Sequence, residues 1–158
     1  MKRLEAHKRT IGGAVYYIRP FPAMKAAAIS GELAAIAAPL LGALLPLAGK
    51  AGGGNALDLQ IEDAAPAVGD AFNSLSGDKV ERLLNKLLIE QRNISYEGEN
   101  GELSVLTEDD ADEIFCGEVQ DMYLLAFEVI KINFNGFFKR LGGQFGKAAG
   151  ALGLTQTK

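Results

Sequence analysis

Hydrophobic positions in the last third of the chain follow one long helical pattern. Val119, Tyr123, Ala126, Ile130, Phe134, Phe137 and Leu141 recur at spacings of four and three, and Leu125, Val129 and Ile132 widen the stripe. Asp121, Glu128, Lys131, Asn135 and Lys139 are left as a narrow polar face. A helix apolar around most of its circumference must be buried, in a core or against a partner. Acids at its start and Lys139 and Arg140 at its end suit the helix dipole, and Gly136 predicts a bend near Asn135. Just upstream, Thr107 fits an N-cap with Asp110 three residues on, opening a short acidic helix that Gly117 ends.

The pattern changes earlier in the chain. Residues 4–19 read as a β-hairpin turned by Gly12 and Gly13, with Val15, Tyr16, Tyr17 and Ile18 as strand formers. Pro20 and Pro22 end it, and an Ala-rich helix follows to about Pro39. A short helix over 40–47, a Gly-rich linker at 49–55 and a helix over 62–74 come next. Val80, Leu83, Leu84, Leu87 and Leu88 keep helical spacing after Ser76-Gly77. A second hairpin is predicted near residues 93–106, turning through Glu99-Asn100-Gly101. The expected fold is α+β and mainly helical, with two hairpins among about six helices; whether the hairpins pair is open. Residues 1–141 are read as a single domain and 142–158 as a mobile tail.

Charge sharpens the picture. Residues 1–92 carry 11 basic and 9 acidic groups, residues 93–130 carry 11 acids and no Lys or Arg, and residues 131–158 carry 5 basic groups and no acid. So dense an acidic block repels phosphate, which argues against nucleic acid as a partner. The uncharged run at 33–48 is sixteen residues long, shorter than the roughly 20 a bilayer requires, and Pro39 and Pro46 interrupt it. No membrane partner is expected.

The usual tools of catalysis are missing. Gly49-Lys50 and Gly146-Lys147 are each followed by Ala and lack the upstream Gly of a phosphate loop. His7 is the only imidazole and falls in a surface strand, and Cys116 reads as a small buried apolar group. The acids from Glu108 to Glu113 lack the alternating ligands and central Gly of a calcium loop. No enzyme activity, cofactor or metal is expected.

Three segments carry a resemblance. I-G-G-A-V-Y-Y-I-R-P-F-P-A-M-K-A-A-A-I-S-G-E-L-A at 11–34, D-A-A-P-A-V-G-D-A-F-N-S-L-S-G-D-K-V-E-R-L-L-N-K-L-L at 63–88 and E-I-F-C-G-E-V-Q-D-M-Y-L-L-A-F-E-V-I-K-I-N-F at 113–134 resemble tail assembly chaperones of tailed bacteriophages, of the type found in phages and prophages of Gram-positive bacteria. The resemblance implies a non-enzymatic helper in the host cytoplasm, absent from the mature virion. Its implied partners are the tape measure protein, a long amphipathic helix that it keeps soluble, and the tail tube protein that assembles around it. Self-association is a further partner the reading allows. The competing class is a structural virion component, a tail tube or connector subunit; such subunits form strand-rich rings, and two short hairpins among six helices argue against that.

Apolar helices bind others by laying stripes into grooves. Two surfaces are therefore candidates for partner binding: Leu40, Leu41, Leu44, Leu45 and Leu47, and the Phe134, Phe137 and Phe138 end of the last helix. Ordinary core is the competing role for each. The first is expected to be the better partner surface.

Overall fold

The computed structural model describes residues 5–34, 42 and 61–151, the side chains of 61, 62 and 137–151 excepted. Strands β1 (His7–Ile11) and β2 (Ala14–Ile18) form the first hairpin around Gly12 and Gly13, at φ 59° and 84°. Two positive φ values give a tight turn the twist its strands need, and glycine reaches them without Cβ strain. Gly12 is doubly constrained, because a Cβ there would collide with the carboxylate of Asp121. After Pro20, the Pro22 carbonyl accepts the Ala26 amide at 3.0 Å, and helix α1 occupies residues 23–34.

Strands β3 (Ile94–Glu97) and β4 (Leu103–Val105) form the second hairpin, with Gly101 at φ 82° in its turn. The two hairpins join. Pairing of β2 with β3 makes one antiparallel sheet in the order β1-β2-β3-β4. Arg9, Tyr16 and Tyr96 lie opposite one another across it, as do Ile18 and Ile94. Alternation sends this set, with Ile11, toward the helices, and Tyr16, Ile18 and Ile94 are at most 1% exposed.

Beyond α1 come α2 (Ile61–Asn73), α3 (Gly77–Leu84) running into a π-helical segment (Asn85–Glu90), α4 (Glu108–Ile114) and α5 (Val119–Ala151). The class is α+β and mainly helical, as expected, with five helices among the described residues rather than six. The short helix predicted at 40–47 and the linker at 49–55 lie outside the described residues.

The centre of α5 is the spine of the core. Residues 125–130 are all buried. Small residues on α2, Ala64, Ala67, Val68 and Ala71, allow α5 close to its backbone, and all are at most 5% exposed. A Cβ on Gly69 would meet the Gln120 side chain, whose Nε2 donates to the Ala65 carbonyl at 2.7 Å.

Two details of α5 correct the helical wheel. Val119, placed at the head of the apolar stripe, is 46% exposed, and Glu128, placed on the polar face, is buried. The cause for Glu128 is tertiary: Arg9 Nε donates to its Oε2 at 2.7 Å, and Lys131 Nζ lies 3.3 Å from its Oε1. Phe134 breaks the helical dihedrals at φ −125°, ψ 18°, one residue before the predicted bend at Asn135. Here Asn133 Nδ2 donates to the Val129 carbonyl while its Oδ1 accepts the Phe21 amide. A side chain that competes for a ladder carbonyl is a recognised origin of helix kinks. The helical backbone continues to Ala151, past the Leu141 boundary read from the sequence.

Candidate functional site

The concavity of greatest chemical interest is built from four helices. α2 ends at Asn73, and a turn through Leu75 and Ser76 restarts the chain as α3, where Val80 N–H bonds to the Ser76 carbonyl at 3.0 Å. Where a helix would carry on regularly, residues 85–90 widen into a π turn. Leu87 and Leu88 are adjacent yet both at most 1% exposed, and Ile89 is half-buried. Val80, Leu84, Leu88 and Ile89 form one wall of a groove of about 460 Å³.

α4 forms the opposite side. Its position is set locally by the Thr107 cap: the Asp110 amide donates to Thr107 Oγ1 at 3.2 Å, and the Thr107 amide donates to Asp110 Oδ2 at 3.0 Å. Tyr96 Oη then donates to Asp110 Oδ1 at 3.1 Å, tying the helix to the sheet. These contacts are visible in the ionisation of both groups. Hydrogen bonds from the Thr107 side chain and amide hold the Asp110 carboxyl below the ordinary carboxylate range. The bond to Asp110 is also the main reason the Tyr96 hydroxyl is pushed above its usual value. The result places Ala111 on the groove floor with Glu108 and Asp112 beside it.

The start of α5 and the end of α2 close the floor. Tyr123 stacks on Phe72 with ring centroids 5.0 Å apart and planes 3° from parallel, and Met122 lies alongside. The lining is mainly apolar. Its charged members are Glu81, Glu108 and Asp112, and no Lys, Arg or His is among them. Among the described residues, no group of three His, Cys, Asp or Glu side chains is placed to hold a metal ion, and no helix is long and apolar enough to cross a membrane. What the groove offers is apolar contact edged by carboxylates.

Residues singled out in the sequence fall in different places. Leu40, Leu41, Leu44, Leu45 and Leu47 lie outside the described residues. Phe134 is 4% exposed and packs edge-on to Phe21, with ring centroids 6.2 Å apart. Phe137 and Phe138 are on the backbone of α5, their side chains not described. His7 is exposed on β1. Cys116 is exposed as well, contrary to expectation: the turn after α4 buries Phe115 against Tyr16 and leaves the next residue outside. Sequence reasoning missed the groove itself. Val80, Leu84 and Leu88 were recognised as a helical stripe, but nothing in a stripe distinguishes a groove wall from a core.

No curated protein and no solved structure matches the chain. A family model described as phage tail assembly chaperone protein, TAC, matches residues 12–146, a span that begins after β1 and includes β2, the second hairpin, the groove and most of α5. With most of its length inside that match, the chain belongs to the family of phage tail assembly chaperones.

Proposed function

We propose that this chain binds the tape measure protein, keeps it soluble, and promotes assembly of the tail tube around it. It acts in the cytoplasm of the bacterial host, catalyses no reaction, and is left behind when the virion matures. The observation that carries the reading is the apolar groove between α3, α4 and α5 in a member of the tail assembly chaperone family. A long amphipathic helix exposes apolar surface along its length until the tube encloses it. A groove lined by Phe72, Leu84, Leu88 and Met122 removes part of that surface from water, at about 25 cal/mol per Å² of apolar area.

One groove of this size supports only modest affinity, which suits a partner that must be surrendered to the tube. Many copies along one long helix supply the protection collectively. The test is co-expression of the tape measure protein with and without this chain. The tape measure protein should move from the pellet to the soluble fraction when the chain is present. An unchanged pellet would contradict the proposal. The leucines at 40–47 make a separate test: Leu44→Ser with Leu45→Ser should abolish solubilisation and leave the circular dichroism of the chain unchanged. An unfolded variant would assign those leucines to the core.

A further inference from the structure

We infer that the groove takes a helix of about three turns whose apolar stripe is flanked by Lys or Arg, so that the acidic rim selects the occupant by charge. This inference rests on the chaperone reading and specifies the chemistry of the partner. The wall from Gly77 to Ile89 is thirteen residues, or about 18–20 Å at the rise of a helix. That length accommodates an occupant with apolar anchors at i, i+3 or i+4, and i+7.

The rim decides the charge. Glu81 stands on α3, while Glu108 and Asp112 lie one turn apart on the same side of α4, so carboxylates edge the groove from two different elements. An acidic or neutral helix seated there would strip water from these carboxylates without replacing it. Lys or Arg stems instead lie along the apolar walls while their heads reach the rim. Exposed acids elsewhere in 93–130, Glu97, Glu99, Glu102, Asp109, Glu113 and Glu118, extend the same field beyond the groove and favour encounter with a basic partner. The π turn adds an independent reason to look here. π segments are rare and occur often at functional sites, and this one contributes Asn85, Leu88 and Ile89 to the lining.

The experiment uses the full chain and two synthetic helical peptides with an identical leucine stripe, one flanked by Lys and one by Glu. Fluorescence anisotropy should show the Lys peptide binding about tenfold tighter at low salt, as three modest ion pairs would give, with the gap closing as salt rises. Neutralising the rim with Glu81→Gln, Glu108→Gln and Asp112→Asn should remove the preference, and reversing it with Lys at all three positions should invert it. Thermal unfolding of each variant confirms that it is folded. Equal binding of the two peptides, or a preference that survives neutralisation in a folded variant, overturns the inference. So does failure of both peptides to bind; binding that then appears in the Leu44→Ser, Leu45→Ser variant would assign the groove to the chain's own residues 40–47. Tape measure solubilisation is scored separately with the neutralised variant. If it persists undiminished, the rim charges do not select the tape measure protein, while the chaperone reading, which rests on the apolar walls and the family, is untouched.

Discussion

Glu128 carries its charge into the middle of the most buried stretch of α5, with Arg9 at 2.7 Å and Lys131 at 3.3 Å. A carboxylate stripped of water in this way depends on its partners more than a surface pair does. Removing one partner of a fully buried pair costs about 3–5 kcal/mol; Arg9 is partly exposed and Lys131 would remain, so Arg9→Ala should cost less, about 1–3 kcal/mol. Chemical denaturation of the variant checks this, and a loss below about 0.5 kcal/mol, the scale of a surface pair, would contradict it. The helical wheel put Glu128 on the solvent side because its partner Arg9 lies 119 residues away. No local pattern carries that information. Tyr16, 1% exposed and stacked on Phe115, has its hydroxyl pushed up to about 12, first by burial and then by the Asp121 charge. The folded form therefore keeps its proton where the unfolded chain loses it. Stability from this group is complete below pH 10 and lost between pH 10 and about 12, on the order of 2–3 kcal/mol. Urea midpoints across that window should fall, and less steeply in Tyr16→Phe. Identical slopes in the two proteins would show that Tyr16 is not the group responsible.

At the scale of elements, features written in short stretches were readable and those made by distant contacts were not. Gly12-Gly13, Asn100-Gly101 and the Thr107–Asp110 capping box each form as their neighbouring residues dictate. The capping box gives a direct test: Thr107→Ala should destabilise the protein by about 1 kcal/mol, because the Asp110 amide loses its acceptor. A denaturation midpoint equal to that of the parent would mean that packing, not the cap, holds α4. Pairing of β2 with β3 could not be read, since either hairpin satisfies the same alternation alone and the partners are far apart in sequence. The π turn has no sequence signature in N-K-L-L-I-E. Gly136 correctly warned of a bend in α5, but the break falls at Phe134, where the Asn133 amide bridges Val129 and Phe21.

For the whole molecule, sheet and helices bury the centre of α5 and leave a groove whose chemistry is apolar contact with a negative edge. Sequence identified the apolar helices and the acidic block. The groove was harder to find, because a leucine stripe looks the same in sequence whether a neighbouring helix covers it completely or leaves a channel. Tail assembly as the setting comes from the family match over residues 12–146, and the tape measure protein as the occupant is the proposal built on it. The most direct test is a tagged pull-down of this chain from cells producing the phage, with the captured proteins and the purified virions both identified by mass spectrometry. The account predicts recovery of a very long, helix-rich tape measure protein with this chain in large molar excess, and no trace of the chain in virions. Recovery of tube or shell proteins alone, with the chain present in mature particles, would contradict it and make the chain a structural subunit.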